Sequence, residues 1–132
     1  NILVRFLELM AMGHLHGHAG RRIVTTDQIL GTIAARHEIR ELGRKPSDTT
    51  RHYELEREQV FGIIANTTIP FCSDCDRLRL DAAGRVYGCL SQPKGIPLSG
   101  VTNVADVLAE AMALKQVQGF TGSVLNMREV GG

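Results

Sequence analysis

A chain of 132 residues with 43% apolar composition is long enough for one domain with its own core, so its three cysteines are not required as staples. Its 15 basic and 14 acidic residues leave a formal net charge of +1, which excludes a globally cationic nucleic-acid binder and leaves room only for a local basic pocket. No apolar run approaches the roughly 18 residues of a membrane span, and no secretory or transit signal opens the chain, so neither nucleic acid nor membrane is an expected partner.

Ile2 to Met10 is a nearly continuous apolar run broken by Arg5 and Glu8. That pattern predicts a strand covered on both faces, as in a parallel sheet or a barrel wall. With no initiator methionine, the sequence reads as a fragment of a longer protein. Arg5 within such a strand needs an anionic partner, either Glu8 or a bound phosphate. A polar stretch from His14 to Gly20 follows; its three histidines, His14, His16 and His18, read as a solvated loop rather than a metal tract. Thr25-Thr26-Asp27 offers a helix N-cap, and Ile29, Leu30, Ile33 and Ala34 follow at helical spacing.

Residues 39–42, 51–55 and 60–65 read as short strands, with a turn over Gly43 to Asp48 and charged sides that predict an antiparallel sheet with one wet face. Residues 78–81 and 85–90 flank Asp81-Ala82-Ala83-Gly84, a hairpin signal. Pro93 to Gly100 is expected to be a loop. Val104, Val107, Leu108, Ala111 and Met112 predict a second amphipathic helix that ends before Gly119. The expected class is α+β: a small antiparallel sheet with flanking helices.

Cys72 and Cys75 form a C-x-x-C, and Cys89 follows after thirteen residues at the far end of the predicted hairpin. A turn of that length brings the first two sulfurs to one side, and the hairpin returns Cys89 beside them. An odd number of cysteines is no disulfide framework, and a reducing, cytoplasmic compartment is the expectation. The alternatives are buried structural thiols, a zinc site and an iron–sulfur cluster. Structural zinc uses four protein ligands, whereas this chain has no fourth cysteine and its five histidines all precede Cys72. Three thiolates suit a cubane with one iron left open as a Lewis acid. Next to them, Arg77 and Arg79 fall on one face of a strand, where two guanidinium forks could clamp phosphate oxygens.

Phe71-Cys72-Ser73-Asp74-Cys75-Asp76-Arg77-Leu78-Arg79-Leu80, the following Gly84-Arg85-Val86-Tyr87 and then Cys89-Leu90 resemble the C-terminal domain of the molybdenum-cofactor GTP 3',8-cyclases, radical S-adenosylmethionine enzymes. Val4 to Met10 resembles the last barrel strand of that family, and Gly131-Gly132 its double-glycine C-terminus. The resemblance implies that residues 1–12 belong to an otherwise missing N-terminal radical domain of an incomplete (α/β) barrel, and that 13–132 form a cluster- and GTP-binding domain. It implies a [4Fe–4S] cluster on Cys72, Cys75 and Cys89, with guanine of GTP at the open iron. By the same resemblance Arg77, Leu78 and Arg79 line the GTP site, Arg5 reaches the triphosphate, and Met10 meets S-adenosylmethionine. The Gly131-Gly132 tail would insert into the active site.

In the family, a second [4Fe–4S] cluster on C-x3-C-x2-C cleaves S-adenosylmethionine, and the radical formed leads to a bond between C3' and C8 of GTP. That motif is absent here, so this stretch is expected to be inactive alone. The expected partners are GTP, the radical domain and a second copy in a homodimer. The sequence departs from the family pattern at Asp81 (usually Thr or Ser), at Gly88 (often Pro) and at Ser91 (often aromatic). A carboxylate at Asp81 is expected to weaken anion binding by the arginines. The alternative reading is a non-catalytic module holding zinc or an auxiliary iron–sulfur cluster.

Overall fold

A computed structural model describes residues 2–18 and 23–131. The first strand, β1 (Val4–Leu7), leads to helix α1 (Thr26–Ala34), then β2 (Arg40–Gly43), β3 (Arg51–Glu54) and β4 (Val60–Ile64). These strands form a four-stranded sheet in the order β1-β4-β3-β2. β2, β3 and β4 are antiparallel neighbours, and β1 is parallel to β4, with Val4 opposite Phe61 and Leu7 opposite Ile64. A second, three-stranded antiparallel sheet contains β5 (Arg79–Leu80), β6 (Arg85–Tyr87) and β7 (Ile96–Pro97), followed by helix α2 (Val104–Ala113). The α+β class stands, but with two sheets in place of one. Among the described residues, no helix is long and apolar enough to cross a membrane.

The cap expected at Thr25-Thr26-Asp27 falls on Thr25. The Thr25 hydroxyl accepts from the Gln28 backbone at 3.3 Å, and Gln28 Oε1 accepts from the Thr25 backbone at 3.0 Å, a reciprocal capping box. Asn103 caps α2 through the Ala105 amide at 3.1 Å. Ile29, Leu30 and Ile33 of α1 cover a core of Tyr53, Phe61, Ile63 and Ala65, in which the Tyr53 and Phe61 rings stack at 5.3 Å. Val107 and Ala111 of α2 bury Val86, with Leu78 and Ile96 packed alongside.

Three expectations need correction. Residues 93–100 are not all loop: β7 pairs Ile96 with Val86, and Pro97, which has no N–H to give, sits on the last strand of the sheet, where none is required. β1 is not covered on both faces, because all four of its residues are exposed and Leu7 keeps 60% of its surface. Arg5 and Glu8 do not pair either. Arg5 is exposed, opposite Gly62, whereas Glu8 is 1% exposed and its carboxylate accepts from the Thr26 amide and hydroxyl, the Thr67 and Thr68 amides and the Thr68 hydroxyl. Glu8 thereby ties the exit of β1 to the start of α1 and to the loop after β4.

Candidate metal and nucleotide site

The C-terminal ends of the parallel pair β1 and β4 run toward one pocket, the usual side for ligands on parallel strands. Met10, past β1, and Asn66, past β4, line it together with Cys72, Cys75, Cys89, Arg77 and Arg79. The open space of the pocket, its mouth and adjoining solvent included, is about 600 Å³. The pocket brings together the three cysteines and two arginines that the sequence pattern singled out, and Met10, which the resemblance added.

The C-x-x-C is built as a 3-10 turn, Cys72–Asp74, closed by the Cys75 amide on the Cys72 carbonyl at 3.3 Å. Asp74 in its middle anchors the loop to the β2–β3 turn. It accepts both Arg44 Nη2 contacts at 2.9 Å and the Ser47 amide at 3.1 Å, and its own carbonyl accepts from the Ser47 hydroxyl at 3.0 Å. The Arg44 and Ser47 bonds hold the Asp74 carboxyl below the usual carboxylate range. Cys89 enters just after β6, and its sulfur accepts the Ser91 amide at 3.4 Å. The three cysteines are half-buried and not disulfide-bonded. Burial, then the proximity of Cys89 and Cys75, push the Cys72 thiol up, while Arg77 and Lys115 oppose the shift.

Gly88 explains one departure from the family pattern. A Cβ there would lie 1.8 Å from the Ala111 carbonyl oxygen, so α2 presses its backbone directly on the residue before Cys89. The Gly88 amide also donates to Gln92 Oε1 at 2.7 Å, a bond proline cannot make. Gly88→Pro should therefore destabilise the fold by at least ~2 kcal/mol, combining overpacking with a lost hydrogen bond, and Gly88→Ala by about 1–3 kcal/mol. Chemical unfolding of both variants measures this; an unchanged midpoint would mean that α2 withdraws freely. The Asp81 carboxylate likewise does not reach the arginine clamp. It accepts the Ala83 and Arg85 amides at 2.9 Å and the Tyr87 hydroxyl at 3.1 Å, closing the β5–β6 turn, and these bonds, that of Arg85 foremost, hold its pKa down. Ser91 backs the site by accepting the Thr121 amide at 3.1 Å.

The two arginines are not equivalent. Arg77 stacks over the Phe71 ring at 5.2 Å and donates to the Ser47 carbonyl at 2.6 Å and to Cys75 Sγ at 3.3 Å, so part of its fork already serves the cysteine loop. Arg79 is less engaged, with one 3.4 Å contact to the Gly131 carbonyl. Leu78 packs against the Val86, Val107 and Ala111 cluster and does not line the pocket. Arg5 does not line the pocket either. The tail is docked through Val130, fully buried, and Met127, and Gly131 sits at φ 75° against the Leu80 backbone. Gly132 lies outside the described residues.

Sequence reasoning missed Lys115, Asn66 and Arg44. Lys115 donates to Cys75 Sγ at 3.6 Å from more than thirty positions away, and nothing local announces it. Asn66 is 5% exposed, and its Oδ1 is buried without a partner. Such an orphaned acceptor on a pocket wall fits a ligand that brings its own donor. Among the described lining residues are three cations, Arg77, Arg79 and Lys115, and no carboxylate, a donor set suited to an anionic group. No group of three or more Cys, His, Asp or Glu among the described residues converges on one ion. The thiols of a cubane each serve a different iron, so they need to surround a shared space rather than a point.

Residues 2–120 match the family model described as Molybdenum Cofactor Synthesis C. The protein named GTP 3',8-cyclase of Aquifex aeolicus (strain VF5) is 33% identical over 109 residues, 83% of this chain and 34% of that protein. The GTP 3',8-cyclase of Campylobacter fetus subsp. fetus (strain 82-40) is 32% identical over 114 residues, 86% of this chain and 35% of its own length. That of Rhodococcus opacus (strain B4) is 37% identical over 99 residues, 74% of this chain and 28% of its own. The chain thus spans at most about a third of the length of these curated relatives. With this match running through both sheets and all three cysteines, the chain belongs to the Molybdenum Cofactor Synthesis C family.

Proposed function

We propose that this chain is the cluster- and substrate-binding domain of a GTP 3',8-cyclase, and that its pocket holds a [4Fe–4S] cluster on Cys72, Cys75 and Cys89 beside GTP. The carrying observation is the convergence of three cysteines and three cations on one wall. When bound, the cluster supplies an iron without a protein ligand, a Lewis acid for an atom of the base. Arg79 binds the anionic part of the nucleotide, and Arg77 shares that task while bracing the cysteine loop. The Asn66 carbonyl accepts from a ligand N–H or O–H. Phe71 and Phe120 keep water from the apolar end of the pocket.

In this reading residues 1–12 are the last strand of a preceding radical domain, which carries the second cluster and binds S-adenosylmethionine against Met10. The exposed side chains of Val4, Phe6 and Leu7 support it, since a neighbouring barrel strand and its helices would cover them. Arg5 on the same strand would face the triphosphate, and Gly131 and Gly132 would close the site beside Arg79.

The test is nucleotide binding to the full-length, cluster-loaded protein. Arg79→Ala should raise the Kd for GTP about tenfold to a hundredfold, the worth of a charge-assisted hydrogen bond at ~1.5–3 kcal/mol, and change guanosine binding little. Arg77→Ala should weaken GTP similarly and also lower iron content. Equal losses for GTP and guanosine would make both arginines structural.

A further inference from the structure

Lys115 reaches the pocket from just beyond α2, not from either cysteine segment. A half-buried ammonium is stable where its three donors find acceptors. Here Nζ donates to the Gly88 carbonyl at 2.9 Å, to the Arg77 carbonyl and to Cys75 Sγ at 3.6 Å. The two carbonyls stand at opposite ends of the hairpin: Arg77 leads into β5, and Gly88 follows β6, directly before Cys89. The same Cys75 sulfur takes a second cationic donor, Arg77 Nη2, at 3.3 Å. Among the described residues Cys89 takes only the neutral Ser91 amide. Among the described residues the direct cationic hydrogen bonds are therefore concentrated at one of the three thiols.

We infer that Lys115 is a positioning residue of the cluster site: it staples the two ends of the cysteine hairpin together and, through Cys75, stabilises the more negative, reduced form of the cluster. The inference rests on the reading of Cys72, Cys75 and Cys89 as ligands. Net charge and hydrogen bonds at ligating sulfur set the potential of an iron–sulfur cluster. A cation beside the sulfur favours the added electron, and its removal makes the cluster harder to reduce.

The experiment compares Lys115→Met and Lys115→Arg with wild type in the full-length protein, with any cluster outside this domain removed by substituting its own ligands. Iron and sulfide are assayed after anaerobic reconstitution, and the midpoint potential is read by EPR-monitored titration. Lys115→Met is expected to move the potential negative by about 59 mV or more, tenfold in a one-electron equilibrium. Lys115→Arg should restore most of that shift. A Lys115→Met cluster at the wild-type potential overturns the inference. If Lys115→Met fails to load iron, loading in Lys115→Arg supports the charged staple, whereas failure of both makes Lys115 a packing residue and overturns it. Cluster loading of wild type with no dependence on Cys75 would instead overturn the ligand reading beneath it.

Discussion

Replacing Cys72, Cys75 or Cys89 with serine is expected to remove most of the iron and sulfide that this domain binds in the full-length protein. The three thiols come from two segments and line one pocket, so no neighbouring cysteine can take the place of a lost one. The described wall around them offers no carboxylate as a substitute ligand. Serine keeps the shape and removes the soft donor that iron–sulfur chemistry requires. Loss should be near complete in each variant, read as iron and sulfide per chain and as the charge-transfer absorbance of the cluster. Full iron content in any one variant strikes that residue from the ligand set. One zinc per chain, with no such absorbance, would move the whole site to a mononuclear module.

Glu8→Ala should lower the stability of the fold by about 3–5 kcal/mol, seen as a fall of roughly 10 °C or more in Tm. The buried carboxylate answers donors from three residues at two places: Thr26 at the start of α1, and Thr67 and Thr68 after β4. Alanine leaves those amides without acceptors, each a cost of ~1–3 kcal/mol when kept from water. Burial alone would raise the pKa of Glu8, but the bonds from Thr68, Thr67 and Thr26 more than offset it and hold the group below its ordinary value of 4.5. A lowered folded pKa means that this stabilisation is complete above the ordinary carboxylate range and fades as pH falls through the folded value. Wild type should lose stability on that acid limb, and Glu8→Gln should show a shallower one. A parental pH profile in Glu8→Gln would place the acid sensitivity elsewhere.

Local signals were legible and long-range ones were not. Thr25 announces its helix, the spacing from Val104 to Met112 announces the second, and residues 51–55 and 60–65 read as strands, because capping and period are encoded within a few positions. The cysteine hairpin was legible for the same reason. Glu8 was not: an acid next to Arg5 suggests an ion pair, and only the return of residues 67–68 reveals its true donors. Arg77 looked like a free clamp because Phe71 stacking and the Ser47 carbonyl lie across a fold that no spacing rule describes. β7 was hidden by Pro97, a residue that reads as a breaker unless one knows that it lies at a sheet edge.

The contact between Gly88 and the Ala111 carbonyl has a consequence for how this site can diverge. Most helices rest on sheets through a layer of side chains, which can drift in size and repack over generations while the backbones stay put. At Gly88, between the Val86 contact and Cys89, that cushion is missing, and main chain meets main chain. Substitutions at Val107 or Leu78 can be absorbed by their neighbours, whereas any residue gaining a Cβ at position 88 must push the helix or the cysteine. Because the atom met is a main-chain carbonyl, no side-chain change at position 111 can make room, and proline at position 88 requires the helix itself to sit farther out.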